Sequence, residues 1–236
     1  MDSTLSAVKY QGMRWNSPLS EDHAFDLLNH LDLSNASSLV DIGCGWGELL
    51  LRAIQKSSIK GTGIDNDAVA IARGQSAASD RSLSVNFVNG SAQEWKGTAG
   101  RAMCIGSSHT LGGTRAMLER LAEIVPTGKV LVGDTIWEKD PSDAAVEMMG
   151  YGIPKLTELA KMCRETGWQI LHLSVADQRE WDDFESSHRK GLREWTIQNP
   201  DDPRVEGIRK ELNEREDGYL GVYRGVMGFA YLILAR

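Results

Sequence analysis

The residues with the clearest capacity for chemistry lie in the stretch 40–48, Val-Asp-Ile-Gly-Cys-Gly-Trp-Gly-Glu. A buried strand is predicted to end at Ile42, and a helix is predicted to begin after the third glycine. Glycines allow a tight turn and a close approach of the backbone to a ligand, and the first amides of the following helix point toward that ligand. Asp41 adds a carboxylate that can balance a cationic group. This stretch therefore predicts a binding loop for a small, partly cationic molecule.

The spacing of the glycines distinguishes between two classes of cofactor. Dinucleotide-binding loops have the pattern GxGxxG, whose last glycine allows close packing of strand and helix around a pyrophosphate. Here the pattern is GxGxG, and Glu48 stands where the third glycine of a dinucleotide loop would be. An acid at the start of that helix opposes a pyrophosphate. The zwitterionic end of a methionine and a sulfonium suit the loop better.

A second acid, Asp65, follows the next predicted strand, 24 positions after Asp41. A carboxylate at the end of this strand can accept hydrogen bonds from both hydroxyls of a ribose. The alternative is a role in helix capping, since Asn66 and Asp67 also precede a helix. Combined with the glycine loop, Asp65 indicates a ligand that contains adenosine.

These segments resemble the motifs of the class I S-adenosylmethionine-dependent methyltransferases. Residues 41–47 are similar to the first motif, which holds the methionine part of the cofactor. The resemblance implies that Asp41, Gly43, Cys44 and Gly45 form this contact. It also implies that Asp65 binds the ribose, with Asn66 beside it.

Two further segments extend the resemblance. Residues 89–93 are similar to the stretch that contacts adenine in this family, here through the Ser91 side chain and the Ala92 amide. Serine replaces the usual acid, and a cap on a short helix at 91–95 is the alternative role for Ser91. Residues 104–109 match the end of the fourth strand, where Gly106 would border both cofactor and acceptor.

The order of the predicted elements agrees with this family. The predicted strands are 38–42, 60–64, 83–88, 102–106, 129–133, 168–175 and 225–234, with helices between most of them. Such alternation predicts an α/β fold with a doubly wound, mainly parallel sheet. The resemblance implies a seven-stranded, Rossmann-like methyltransferase sheet with an antiparallel last strand. We expect a single domain over 1–236, with an N-terminal cap at 1–18 and a helical insertion or lid at 177–218.

The acceptor side is predicted from residues near the carboxyl ends of the fourth and fifth strands. His109 can remove a proton from a nucleophile, because its ordinary pKa is near neutrality, and Glu138 is the alternative base. The other role for His109 is that of a polar loop residue, since many methyltransferases rely on positioning alone. Other expected acceptor contacts are Tyr10, Trp15, Trp137 and Trp181, and helix packing is the alternative role of Trp181. The remaining histidines are expected to be structural.

Composition excludes several classes of function. The net charge of −7 repels phosphate backbones and argues against nucleic acid as a partner. The longest apolar run is too short to span a bilayer, so no membrane partner is expected. Three scattered cysteines suggest neither disulfides nor a metal site and fit a reducing cytoplasm.

The sequence thus predicts an enzyme that transfers the methyl group of S-adenosylmethionine to an oxygen, nitrogen or carbon of a small molecule. Two alternatives remain at this point. One is a non-catalytic protein that binds or senses S-adenosylmethionine, and the other is a nucleotide-dependent oxidoreductase.

Overall fold

A computed structural model describes residues 3–57 and 59–236, so residues 1 and 2 of the expected N-terminal cap lie outside the described residues. The chain divides into two compact units. The helical unit contains the residues up to Leu19, Trp137–Ile153 and Ala176–Gly228. The sheet unit contains Ser20–Ile136, Pro154–Val175 and Phe229–Arg236.

Seven strands form one sheet in the order β3-β2-β1-β4-β5-β7-β6. The strands are β1 Ser38–Ile42, β2 Lys60–Asp65, β3 Val85–Asn89, β4 Arg101–Ile105, β5 Lys129–Trp137, β6 Gln169–Val175 and β7 Met227–Ala235. The first five strands pair in parallel, and β6 pairs with β7 in antiparallel fashion. Gly128 and Arg236, at the outer ends of β5 and β7, exchange two backbone hydrogen bonds of 3.2 Å, the pattern of an antiparallel pair. The predicted Rossmann-like methyltransferase sheet is confirmed.

The central strands β1, β4, β5 and β7 are buried along most of their length, whereas β3 and β6 at the two edges of the sheet are partly exposed. Every residue of β7 except the last is buried. Trp168, just before β6, is 1% exposed and donates its indole N–H to the Leu118 carbonyl oxygen at 3.0 Å. A large aromatic side chain with a satisfied polar atom thereby fixes a helix against the sheet.

Nine helices are described in this part of the chain. They are α1 Ser3–Gln11, α2 Glu21–Leu31, α3 Glu48–Ser57, α4 Ala68–Asp80, α5 Thr114–Ile124, α6 Asp143–Met149, α7 Leu156–Glu165, α8 Gln178–Gln198 and α9 Val205–Gly218. Ser20 caps α2 as its sequence predicts, by accepting a hydrogen bond from the His23 amide at 3.2 Å. A 3₁₀ turn at Ser108–Leu111 and a π-helical turn at Tyr219–Tyr223 complete the helical segments.

The structure corrects the sequence-based elements in three places. Strand β5 continues past Gly133 to Trp137, so Trp137 is the last residue of the strand and does not follow it. Helices α1 and α6 were not predicted. At 91–95, where a short turn or helix was expected, the structure has a turn. No helix follows Ser91, so its alternative role as a helix cap does not apply.

A buried ion network holds the helical unit together. Glu185 on α8 is 1% exposed. Its carboxylate accepts hydrogen bonds from Nε and Nη2 of Arg215, at 2.9 and 2.8 Å, and from the Tyr223 hydroxyl at 2.9 Å. Arg189 lies one turn further along α8, with its guanidinium 3.5 Å from Glu185 and 3.3 Å from Glu216. One carboxylate thus joins α8, α9 and the π-helical turn.

None of the described helices combines the length and the apolar character needed to cross a bilayer. Within the same residues, no group of three or more histidines, cysteines or acids has the geometry to hold a metal ion.

We expect Glu185→Ala to lower the free energy of unfolding by about 3 kcal/mol, because Arg189 and Arg215 lose a buried partner. The control is Glu214→Ala, which removes a pair with Lys210 whose two side chains are 64% and 77% exposed. That change should be about 0.5 kcal/mol or less. Urea denaturation measures both variants, and equal effects would contradict a stabilising role for the Glu185 network.

Candidate functional site

The parallel strands bring the predicted cofactor residues to one edge of the sheet unit. Ile42 at the end of β1 is in register with Ile64, and Asp65 at the end of β2 is in register with Asn89. On the other side, Ile105 of β4 is in register with Gly133. The residues that follow these strands therefore gather at their carboxyl ends, where open α/β sheets bind ligands.

The glycine loop turns back tightly over the end of β2. The amides of Gly43 and Cys44 both donate to the Ile64 carbonyl oxygen, at 2.9 and 3.0 Å. Gly43, Gly45 and Gly47 have φ angles of +69°, +55° and +66°, which favour glycine. The loop then leads into α3, so its shape depends on glycine at each of the three positions.

Gly43 is also required by its neighbour. A methyl group at this position would lie 2.4 Å from Oγ of Ser107. Ser107 is buried, and its hydroxyl donates to the Ile42 carbonyl oxygen at 2.8 Å. No role was predicted for Ser107, because its only signal in the sequence is its place directly after Gly106.

Asp65 supports the loop through its carboxylate. One oxygen accepts from the Gly45 amide at 2.7 Å, and the other accepts from the Asp67 amide at 2.9 Å. The capping of α4 belongs to Asp67, which accepts from the Val69 and Ala70 amides. Asp67 therefore caps α4, which was the alternative role considered for Asp65. Each Asp65 oxygen has a further lone pair for a ligand.

Asp41 is a buried acid without a partner. It is 6% exposed, and its carboxylate makes no hydrogen bond or ion pair with the residues that the structure describes. Burial, and then the charge of Asp65, raise the pKa of Asp41 from 3.8 to about 7. An uncompensated carboxylate costs free energy until a cation meets it. This acid and the glycine loop fit a ligand that carries an ammonium or sulfonium group.

The predicted adenine contacts lie on a turn that follows β3. The Gly90 amide donates to the Asp65 carbonyl oxygen at 2.9 Å, which holds the turn beside the end of β2. Ala92 is buried, Ser91 is half-buried, and Asn66 is exposed. The turn is thus adjacent to the proposed ribose-binding acid.

The Gln93 side chain, for which no role was predicted, connects this turn to the segment after β4 that contains His109. Gln93 Nε2 donates to the Thr110 carbonyl oxygen at 2.9 Å, within the 3₁₀ turn Ser108–Leu111. His109 itself is exposed, and its ring makes no hydrogen bond with the described residues. The imidazole is therefore accessible to a bound molecule.

A buried acid on β5 was also missed. Asp134 accepts from the Thr114 hydroxyl at 2.7 Å and from the Thr135 amide at 3.0 Å. Thr114 is the first residue of α5, so Asp134 fixes the start of that helix. In the sequence, an acid within a strand gives no indication of its partner.

The other predicted acceptor residues lie in the helical unit. Glu138 is exposed, and its backbone amide donates to the Val226 carbonyl oxygen at 3.0 Å. Trp137 and Trp181 are buried, whereas Tyr10 and Trp15 are half-buried. The structure therefore brings the cofactor residues together in the sheet unit, along with His109, and places the remaining acceptor residues in the helical unit.

We expect Gly43→Ala to destabilise the protein more than Gly45→Ala. Both variants force alanine into a positive φ, but nothing lies within 4 Å of a methyl group at Gly45. Thermal and urea unfolding should show losses of about 2–5 kcal/mol for Gly43→Ala and about 1–2 kcal/mol for Gly45→Ala. Adding Ser107→Gly to Gly43→Ala should recover part of the loss. Equal losses in the two single variants would argue against the close Ser107 contact.

We expect the stability of the ligand-free protein to fall between about pH 4 and about pH 7 because of Asp41. A carboxyl whose pKa is raised by folding contributes stability that is present at low pH and lost as the pH rises through the folded value. Asp41→Asn cannot ionise, so it should be more stable than the wild type by about 2–4 kcal/mol at pH 8 and similar to it near pH 4. Urea denaturation across this range is the measurement. A difference that does not depend on pH would refute the raised pKa of Asp41.

Comparison with known proteins agrees with this geometry. Residues 39–128 match a family model described as a methyltransferase domain. The protein YjhP of Escherichia coli K12 is 26% identical to this chain over 235 residues, and the match covers 94% of each sequence.

Two solved structures of S-adenosylmethionine-dependent methyltransferases are similar along the whole chain. The protein from Geobacter sulfurreducens is 25% identical, with a TM-score of 0.89 and coverage of 100% of this chain and 99% of that one. The protein from Thiobacillus denitrificans is 26% identical, with a TM-score of 0.88 and full coverage of both chains. Both of those proteins were solved in complex with S-adenosyl-L-homocysteine. Together with the domain match, these similarities show that the chain has the class I S-adenosylmethionine-dependent methyltransferase fold.

Proposed function

We propose that this protein transfers the methyl group of S-adenosylmethionine to an oxygen, nitrogen or carbon atom of a small molecule. The observation that carries the proposal is the buried, unpartnered carboxylate of Asp41 beside the glycine loop. It is supported by the domain match and by the two related proteins that bind S-adenosyl-L-homocysteine.

The assignment of the cofactor contacts follows the order of the strands. Asp41 meets the ammonium of the methionine part, and the loop residues Gly43, Cys44 and Gly45 approach it with their backbone. Asp65, with Asn66 beside it, accepts hydrogen bonds from the ribose. The turn after β3 contacts adenine through Ser91 and Ala92, and Gly106 borders the methyl group.

When bound, S-adenosylmethionine supplies a methyl group on a sulfonium, which passes to a nucleophilic atom of the acceptor as the carbon–sulfur bond breaks. Because this electrophile is intrinsically reactive, the protein mainly binds, orients and excludes water. His109 and Glu138 are the proposed bases that take a proton from the acceptor. Tyr10, Trp15, Trp137 and Trp181, together with His109, are the proposed acceptor contacts.

We propose that the whole chain, 1–236, serves as one methyltransferase domain. The segments 1–18 and 177–218 are assigned to acceptor binding. A cytoplasmic location is proposed as well, because Cys44, Cys104 and Cys163 are all free thiols, as expected for a reducing compartment.

The rival cofactor is a nicotinamide dinucleotide. Glu48, at the start of α3, remains the main objection, although its carboxylate is paired with Arg52 at 2.8 Å and with Arg81 at 2.7 Å. Burial raises the pKa of Glu48, but hydrogen bonds from these two arginines outweigh it and lower the pKa overall. Glu48 therefore stays ionised where a pyrophosphate would have to bind.

Calorimetry with S-adenosylmethionine, S-adenosyl-L-homocysteine and NADH tests the proposal. We expect saturable binding of both sulfur compounds and none of NADH. Binding of NADH alone would revive the oxidoreductase. Binding of S-adenosylmethionine with no methyl transfer to any acceptor in a broad screen would favour the non-catalytic alternative.

We expect Asp65→Asn to raise the dissociation constant of S-adenosyl-L-homocysteine by about tenfold or more, a loss of at least about 1.4 kcal/mol. The asparagine keeps one oxygen for the Gly45 amide but loses the charge and the second acceptor oxygen. Asp67→Asn is the matched control, because asparagine also caps helices and Asp67 does not contact the loop. Equal dissociation constants of S-adenosyl-L-homocysteine for the two variants would contradict the assignment of Asp65 to ribose binding.

A further inference from the structure

One face of α8 is lined with aromatic rings. Trp181, Phe184 and His188 follow one another at a spacing of three and four residues, which places them on the same side of the helix. The ring centroids of neighbouring members are 6.1 Å apart in both pairs. Tyr223 of the π-helical turn lies 6.4 Å from Trp181. All four rings belong to the helical unit.

Two buried nitrogen atoms on this aromatic face have no hydrogen-bond partner. They are Nε1 of Trp181, a side chain that is 6% exposed, and Nδ1 of His188. Over the residues that the structure describes, the one other such atom is Nε of Arg120, whose guanidinium bonds through its other nitrogens to Glu123 and to the Trp95 carbonyl. A buried polar atom without a partner costs about 1–3 kcal/mol, so two of them seven residues apart on one helix face require an explanation. Nε1 of Trp181 is a donor, and Nδ1 of a neutral His188 is a donor in one of its two tautomers.

The charge around this face favours an anion. Burial is the main cause that lowers the pKa of His188 to about 3, and the charges of Arg215, Lys9 and Arg189 add to it. Lys9 is half-buried, and its ammonium makes no ion pair with a carboxylate of the described residues. Burial, followed by Arg215, lowers its pKa, and Glu211 only partly offsets this. Arg189 and Arg215 are paired with carboxylates, whereas the Lys9 ammonium lies over the Tyr10 ring, 5.0 Å from its centroid, and has no carboxylate partner in the described residues. Lys9 follows Val8, whose carbonyl packs against Gly191 of α8.

We propose that the aromatic face of α8 binds the acceptor, and that the acceptor is a small aromatic or planar carboxylate. Trp181 and His188 donate hydrogen bonds to the carboxylate, Lys9 supplies the opposite charge, and the rings of Phe184 and Tyr223 contact the planar body. This inference rests on the proposed methyl transfer, which it deepens by naming the class of acceptor.

A cationic acceptor does not fit the same groups. An indole N–H can only donate a hydrogen bond, and it has no lone pair for an ammonium. Lys9 would repel a second cation next to it. Four acids of α8 adjoin Trp181 or Phe184 in sequence. Glu180 accepts a hydrogen bond from the Asp177 amide, Asp182 pairs with Arg224, Glu185 is bonded to Arg215 and Tyr223, and Asp183 is exposed.

The test uses benzoate as the anionic probe and benzamide as its neutral counterpart. The indole N–H signal of Trp181 is identified in the nuclear magnetic resonance spectrum as the one that Trp181→Phe lacks. We expect saturable benzoate binding that shifts this signal, and binding of benzamide at least tenfold weaker. Lys9→Met and His188→Phe should each weaken benzoate binding by fivefold or more.

Trp195→Phe is the matched control, since Trp195 is on the same helix but stacks on the Arg204 guanidinium at 5.1 Å. It should bind benzoate as the wild type does. The proposal is overturned if benzoate leaves the Trp181 signal unchanged, if benzamide binds equally well, or if Trp195→Phe weakens binding as much as Trp181→Phe. Thermal unfolding of each variant confirms that it is folded.

Calorimetry with S-adenosyl-L-homocysteine on the same samples separates this inference from the proposed function. Binding of S-adenosyl-L-homocysteine without an effect of benzoate on Trp181 refutes only the acceptor class. A benzoate-dependent shift of the Trp181 signal without binding of S-adenosyl-L-homocysteine would support an anion site but refute the proposed methyl transfer.

Discussion

The hydrogen bond from the Gly45 amide to the Asp65 carboxylate, 2.7 Å long, is the interaction on which the rest of the site depends. It joins the loop after β1 to the end of β2. The Asp65 carboxylate is held by two backbone amides and needs no cation from the protein. In the described residues, neither Asp41 nor Asp65 forms an ion pair. The site thus places two carboxyl groups, that of Asp65 and the buried one of Asp41, beside the glycine loop, and a cationic ligand would favour the ionised form of Asp41, whose pKa is raised to about 7.

Much of the sheet was predictable because its strands are short, apolar and bounded by turn residues. Strand β1 was predicted with its observed limits, and the strand order follows from the family resemblance. The end of β5 was misplaced because Asp134 looks like a turn residue, yet its charge is satisfied by Thr114 and by the Thr135 amide. Helix α1 was missed for another reason: its support is non-local, since the Val8 carbonyl packs against Gly191 of α8, where a methyl group would come within 2.2 Å.

The residues of the candidate site also divide into those that the sequence could predict and those that it could not. The glycine loop and Asp65 were predictable, because their chemistry depends on residue type and on position at the end of a strand. Ser107 and Gln93 were not, because a serine or glutamine in a loop has many possible partners and only the fold selects one. Trp181 was singled out as an aromatic residue, but the unpaired state of its indole nitrogen exists only in the folded chain. His188 was expected to be structural, and its burial without a partner argues for a larger role.

The π-helical turn at Tyr219–Tyr223 has a consequence for the length of the chain. It directs the hydroxyl of Tyr219 to Asp182, at 2.6 Å, and that of Tyr223 to Glu185, at 2.9 Å. Such a turn is an α-helix with one residue inserted. Deleting a single residue here would rewind the helix and rotate every later side chain by about 100° about its axis. Insertions and deletions are thus restricted between α9 and β7, whereas ordinary surface loops tolerate them, and homologous chains should keep the same residue count in this segment.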